Sequence, residues 1–414
     1  MNLYADAQEM IKKIIADNLP QKAVEAALKQ HEFKGNIYMA AIGKAAWTMA
    51  KAASEHLGNK LAKGIIVTKY DHSQGALPNI DIYEAGHPIS DENTITATQK
   101  CVEMVKHLTK DDELLFLVSG GGSALFEMPL EGLTLNDFQS ITSQLLASGA
   151  DIVETNTVRK RFSAVKAGRF AKIAEPAQVF TIALSDVLGD KLDSIASGPT
   201  APDRTTTDDV QKVIEKYNIE LTGTQNKFLE HETPKTVENV QTVITGSVRT
   251  LCESAAETAR TLGYTPYVLT TTLSCEASEA GRFMAAIAAD TVAGLSCFKK
   301  PCAIIAGGET VVTVKGNGTG GRNQELALAA ATGIAGLEGV LLFSLGSDGT
   351  DGPTDAAGGI VDGNSLSNLK SHGLNIDKIL SDNDSYHGLN AIDGLIVTGP
   401  TGTNINDVTV VLCK

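Results

Sequence analysis

Short apolar runs, most of them leading within two residues to glycine or aspartate and on to a segment of helical spacing, recur along most of the 414 residues. Residues 37–42 lead into Gly43-Lys44 and an alanine-rich helix. Residues 64–68, 114–118, 179–184, 240–244, 265–269, 302–305 and 340–345 repeat the pattern, with helices expected near 93–108, 134–148, 247–262 and 277–294. Alternation of this kind predicts a mostly parallel sheet covered on both faces. Residues 4–30 read as two helices parted at Pro20, and Gly307-Gly308-Glu309 with the alternating run Thr310-Val311-Val312-Thr313-Val314 suggests a strand pair joined at glycine. A chain this long exceeds one ordinary core, so two domains are expected. The polar helical stretch 205–236, with Pro234 near its end, sets their boundary: 1–236 and 237–414.

The net charge of −14 argues against general affinity for nucleic acid or an anionic membrane. No CxxC occurs among the six cysteines, so neither a zinc site nor a disulfide framework is expected. The N-terminus has no signal-like apolar core, and no apolar stretch approaches the ~20 residues that span a bilayer. These features predict a cytoplasmic protein with small-molecule partners.

The strand ends carry the chemistry. Val118-Ser119-Gly120-Gly121-Gly122-Ser123 sets three glycines between a buried strand and a helix. That arrangement costs conformational entropy and offers backbone donors to an anion. Asp186 and Asp190 bracket the turn after residues 179–184, and Ser197-Gly198-Pro199 follows closely. Asp348 and Asp351 stand after residues 340–345, which read as another parallel strand. Carboxylates at such positions suit a magnesium–phosphate role; their spacing does not fit an EF-hand. Lys44 at a helix start opposes the helix dipole unless an anion is near. Gly316-Asn317-Gly318-Thr319-Gly320-Gly321-Arg322-Asn323-Gln324-Glu325 is a second glycine-rich element, and Arg322 again opens a helix. Arg159, Lys160, Arg161, Lys166 and Arg169 form a basic segment that reads as a solvated face or as a steering patch for an anionic substrate. Neither GxxxxGK[ST] nor GxGxxG occurs.

These motifs resemble those of the class II glycerate kinases, the glycerate 2-kinases whose C-terminal part is called MOFRL. The resemblance runs through Ile42-Gly43-Lys44-Ala45-Ala46, Ser119-Gly120-Gly121-Gly122-Ser123-Ala124-Leu125, Ser148-Gly149-Ala150 with Asn156, and Val158-Arg159-Lys160. It continues in Ser185-Asp186-Val187, Gly189-Asp190, Ile195-Ala196-Ser197-Gly198-Pro199-Thr200, Gly307-Gly308-Glu309-Thr310, Gly320-Gly321-Arg322-Asn323-Gln324-Glu325 and Asp348-Gly349-Thr350-Asp351-Gly352-Pro353. Two positions depart from the family pattern: Ala167 stands where glycine is usual and Arg161 where histidine is common.

The resemblance implies an α/β fold. A Rossmann-like, doubly wound N-terminal domain and a smaller α/β C-terminal domain would flank an active site in the cleft between them. It implies ATP-dependent phosphorylation of D-glycerate to 2-phosphoglycerate with a divalent cation, Mg2+, and it is compatible with a homodimer. Lys44, Arg322 and Asp186 are the expected catalytic residues, with Lys44, Arg159 and Arg322 on the substrate. Ser119, Gly120, Gly121, Gly122, Ser123, Ser197, Gly198, Glu309 and Asn323 are expected around the nucleotide or another anion. Asp186, Asp190, Asp348 and Asp351 are the expected metal ligands, and Asp186 or Asp190 could instead take the hydroxyl proton. Three rivals remain: a kinase of another short hydroxy acid, a non-catalytic nucleotide sensor, and a hydroxypyruvate reductase, against which the missing dinucleotide fingerprint argues.

Overall fold

The computed structural model describes residues 2–414 as two compact units. The first runs from Pro20 to Thr245. The second joins residues up to Leu19 with Gly246–Lys414. The boundary expected at residue 236 falls short of a strand that completes the first unit's sheet, and the helix Leu3–Asp17 belongs with the second unit.

The first unit is built on β1 (Asn36–Ile42), β2 (Leu61–Lys69), β3 (Ile80–Ala85), β4 (Asp112–Val118), β5 (Gln178–Leu184) and β6 (Val240–Gly246), in the order β3-β2-β1-β4-β5-β6. The pairs from β3 through β5 are parallel, with Ile42 opposite both Val67 and Val118. β4 is buried at every residue, as its unbroken apolar run requires in a sheet covered on both faces. Leu114, Phe116 and Val118 point into one core with Phe126 and Phe170, whose rings lie 4.9 Å apart. Reciprocal caps fix the helix starts: Asp91 with Thr94, Thr134 with Asp137, and Asp151 with Glu154.

The second unit holds β7 (Thr265–Leu273), β8 (Cys302–Gly308), β9 (Val340–Gly346), β10 (Gly358–Asp362), β11 (Leu395–Ile396) and β12 (Asp407–Cys413), in the order β11-β10-β9-β12-β8-β7. Only the β7–β8 pairing is parallel; β12 runs antiparallel to both β8 and β9. The parallel strand expected at 340–345 is therefore antiparallel to its neighbours. An apolar run buried on both faces carries no signal of direction. The second strand of the pair expected to join at Gly307-Gly308, over 310–314, does not form. Val311 makes one isolated bridge to Glu276, whose carboxylate also holds the Thr313 amide and hydroxyl, and Val311 and Val314 are exposed. Among the described residues no helix is long and apolar enough to cross a membrane.

Candidate active site

In the first unit the strand order reverses between β1 and β4, and open α/β sheets bind ligands beyond the carboxyl ends at such a point. Gly43 follows β1 and Ser119 follows β4. The Ser119 hydroxyl donates to the Ile42 carbonyl (3.2 Å) and accepts the Ala45 amide (3.1 Å), while the Lys44 amide donates to the Gly120 carbonyl (2.9 Å). Ser119 thus latches the two turns together and is 3% exposed, a task different from the anion contact expected of it. Gly43 has φ +108° and no room for a side chain against Ser119.

Beyond this latch the expected residues converge. The Asp186 carboxylate lies over Gly120, 2.5 Å from where a Cβ would stand. Gly121, at φ +83°, carries the Lys44 stem (Cγ 3.3 Å from the same point) and the His87 ring (3.0 Å). Only glycine permits both the dihedral and the approach. His87 was not expected: it follows β3, a strand the apolar pattern does not reveal. Its pKa is lowered to about 4 by burial and by the neighbouring Lys44, Lys69 and His72.

Behind the glycine turn, Ala196, Ser197 and Gly198 take successive positive φ values of 49°, 60° and 67°. Strain of this kind in non-glycine residues persists where the surroundings hold it. Lys166, fully buried, supplies the hold: its ammonium donates to the Ala196 carbonyl (2.9 Å) and the Gly122 carbonyl (3.2 Å). Ser197 meets the Ser123 hydroxyl at 3.1 Å and donates to Asn156 (3.1 Å), so it too is a buried latch. Burial pushes Lys166 down to about 7 and Glu127 upward, each against the other's pull.

The basic segment is neither a solvated face nor a steering patch. Arg159 donates to the Ser123 carbonyl (3.4 Å) and lies over the Phe138 ring, supporting the turn from within. Lys160 pairs with buried Asp203 (3.4 Å), Arg161 has no exposed surface and bonds Glu232, and Arg169 holds the carbonyls of Lys160 and Ser163. Positive charge in a run does not reveal the carboxylates and carbonyls that meet it from elsewhere in the chain. Asp190, at φ +53°, lines a cavity of about 530 Å³ together with Lys191, Leu192, Arg204 and Val240.

In the second unit the antiparallel β12 brings its first residue, Asp407, opposite Gly308 and Gly346, the last residues of β8 and β9. Asp407 takes two N–H groups of Arg322, at 2.6 and 3.1 Å, and Glu309 takes a third at 2.7 Å. Burial pushes the Asp407 carboxyl up to about 6 against the pull of that guanidinium. Arg322 is therefore already paired with two carboxylates, and Asp407 is a partner that sequence reasoning missed. Asp351 caps the helix Arg322–Gly333, accepting the amides of Asn323 (3.2 Å) and Gln324 (2.8 Å). Asn323 is buried; it accepts from Ser344 and donates to Asp351, which ties it inside the unit. Asp348 accepts the Thr350 amide across its own turn.

The second glycine-rich element is a packed loop. Amides of Lys315 and Gly316 donate to the Asn383 side chain, Asn317 to Asp382 and Thr319 to Asp384. Among the described residues, no group of three or more His, Cys, Asp or Glu side chains could hold a metal ion. Magnesium bound through one or two carboxylates plus phosphate oxygens needs no such group. Asp186, over Gly120, fits that mode. Asp351, with both oxygens on helix amides, does not.

Two family models match the chain: Domain of unknown function (DUF4147) over residues 6–230 and MOFRL family over residues 302–407. The D-glycerate 2-kinase of Thermotoga maritima is 52% identical over 402 residues, covering 97% of this chain and 96% of its own. The glycerate 2-kinase of Pyrococcus horikoshii is 41% identical, with 93% and 89% covered. A crystal structure of a Thermotoga maritima glycerate kinase superposes with a TM-score of 0.97 at 51% identity, covering 100% of this chain and 99% of that one. On this similarity along the whole chain, the protein belongs to the class II glycerate kinase family.

Proposed function

We propose that this chain is a glycerate 2-kinase that transfers the γ-phosphoryl group of ATP to the 2-hydroxyl of D-glycerate. The observation that carries the reading is the convergence of Lys44 and Asp186 on Gly120-Gly121 at the switch point of a parallel sheet. Near-full-length identity to enzymes named for this reaction supports it.

Phosphoryl transfer asks for positioning and charge neutralisation more than for covalent chemistry. The 2-hydroxyl oxygen forms a bond to the γ-phosphorus, the bond to the β,γ-bridging oxygen breaks to release ADP, and the hydroxyl proton passes to solvent water. Lys44 neutralises charge on the transferring group. Asp186 is the residue that would hold magnesium, whose charge would offset that of the phosphate oxygens. Arg322 keeps two of its five N–H donors beyond those given to Asp407 and Glu309, enough to hold a carboxylate or phosphate edge. The cavity beside Asp190 lies within the size range of small-molecule sites and is our choice for the nucleoside.

The glycerate carboxylate decides the regiochemistry. The primary hydroxyl is the less hindered, and anchoring the carboxylate presents the adjacent secondary one. A coupled ADP-release assay with D-glycerate, L-glycerate and glycerol tests the reading, with phosphorus NMR of the product. D-Glycerate should be phosphorylated at carbon 2 and glycerol poorly. A 3-phosphate product, or NADH oxidation with hydroxypyruvate and no ADP release, overturns it. Asp186→Asn should raise the magnesium requirement more than the glycerate requirement; an unchanged magnesium titration removes Asp186 from the metal.

A further inference from the structure

Four neighbouring strands of the parallel sheet deliver polar groups to its carboxyl edge. Lys44 follows β1, Lys69 ends β2 with His72 just beyond it, His87 follows β3, and the glycine turn follows β4. His72 is committed: its Nδ1 donates to the Lys44 carbonyl at 3.2 Å. The nearby carboxylates are also committed, Glu84 to the Ser73 amide and hydroxyl and Asp91 to Tyr70 and Thr94. His87 differs from all of these. Its ring edge rests on Gly121 beside the Lys44 stem, and among the described residues no hydrogen bond engages either ring nitrogen. A half-buried imidazole without a partner, on the glycine that also seats the proposed phosphate-neutralising lysine, is a donor waiting for a ligand.

We propose that His87 contacts the substrate, donating a hydrogen bond as an uncharged imidazole to the carboxylate or phosphate oxyanion that docks on the Gly120–Gly122 turn. The proposal rests on reading this edge as the phosphoryl-transfer site. Burial and the two lysines keep the ring neutral at physiological pH, which suits the role. A neutral donor adds direction without adding a third positive charge, so the product, which carries more negative charge than glycerate, is not held too tightly.

The experiment pairs kinetics with a titration of the ring. His87→Phe keeps a ring and removes the donor; His87→Gln restores an N–H near the Nε2 position. Loss of one hydrogen bond to a charged group should cost about 10- to 100-fold in kcat/KM. His87→Gln should recover most of that loss. In the unaltered protein, NMR should show the imidazole neutral to about pH 5. Adding inorganic phosphate, D-glycerate or ADP, each alone, should raise its pKa by about one unit or more through the new negative charge. A response to D-glycerate alone identifies the carboxylate. A response to phosphate and ADP identifies the phosphate chain. No response to any of the three overturns the proposal, as does a folded His87→Phe with parental kinetics; if that variant fails to fold, the titration decides. A ring that answers phosphate in a protein without glycerate-dependent ADP release would sustain this contact while refuting the kinase reading.

Discussion

The two glycine-rich loops look alike in sequence and do different work. In 119–123 the glycines are approached by side chains assigned to the proposed reaction: Asp186 over Gly120, and Lys44 and His87 over Gly121. In 316–321 the neighbours of Gly316, Gly318 and Gly320 are the chain at Asp382–Ser385, and the loop amides are bonded to Asp382, Asn383 and Asp384. The glycines also answer different needs. Gly121 has φ +83°, a dihedral that disfavours a side chain, whereas no glycine in 316–321 has positive φ. Those are required only for space. Glycine content marks a tight place, and the identity of what fills it separates a site from a seam.

The sharpest way to break this comparison is to remove the lysine on the first loop. Lys44→Ala should lower kcat by at least about 10²-fold, the scale of losing one preorganised electrostatic contact, while leaving the melting temperature near the parent's. Lys44→Arg should not fully rescue, because a planar fork does not replace a point charge. Near-parental turnover in Lys44→Ala would remove the first loop's claim to be the site.

The arginine at the end of the second loop should respond differently, losing stability as well as activity. Arg322→Ala leaves Asp407 buried without its partner, and breaking such a pair costs on the order of 2–4 kcal/mol once the partial exposure of the guanidinium is allowed for. Adding Asp407→Asn to that variant should restore part of the stability and none of the activity. If Arg322→Ala unfolds at the parent's denaturant midpoint, the ion pair is not what holds that end of the unit.

A glycine exchange tests the difference between the loops directly. Gly121→Ala meets an unfavourable dihedral costing about 1–2 kcal/mol and displaces Lys44 or His87, so kcat/KM should fall about 10-fold or more. Gly318→Ala drives a methyl into the chain at Asp382 and Asp384 and should cost about 1–3 kcal/mol of stability, with kcat/KM of the folded enzyme near the parent's. The reverse outcome, activity lost in Gly318→Ala and kept in Gly121→Ala, would exchange the roles assigned to the two loops.

The positions of the strand ends are legible in the sequence because buried strands are unbroken apolar runs and the following turns need glycine or aspartate. That is why the order of residues alone marks out Lys44, Gly120, Gly121 and Asp186. What surrounds the candidate residues within each unit is not legible. His87 hangs from β3, a half-exposed strand with a weak pattern, and Asp407 opens β12, whose apolar run gives no hint of direction. The basic segment misleads because Asp203, Glu232 and Glu127 come to it from distant parts of the chain. Asp351 reads as a metal ligand because a carboxylate cap and a carboxylate ligand have the same local sequence. Parallel pairing, expected for β9, fails for the same reason as Asp407: burial pattern reports faces and not orientation.

The smallest effect isolates the dihedral requirement itself. Ala167 stands where the family usually has glycine, and it holds φ +56° immediately before Gly168 at +79°. Its amide donates to the Ser197 carbonyl (3.1 Å), so this strained pair is bonded to the turn behind the site. Alanine in the left-handed region costs about 1–2 kcal/mol, which Ala167→Gly would relieve. The same change loses a buried methyl, about 0.8 kcal/mol, and frees the unfolded backbone by a further 0.5–1 kcal/mol or so. The opposing contributions nearly cancel, so Ala167→Gly should be close to neutral. Ala97 supplies the control: it is equally buried, in the helix Glu92–Val105, with ordinary helical geometry. Ala97→Gly suffers both losses with no relief and should destabilise by about 1.5–2 kcal/mol. Urea unfolding of the two variants should therefore differ by about 1–2 kcal/mol, the cost of a left-handed alanine. Equal destabilisation would mean that residue 167 carries no conformational penalty, and that glycine at this position, as at 316–321, answers only a need for space.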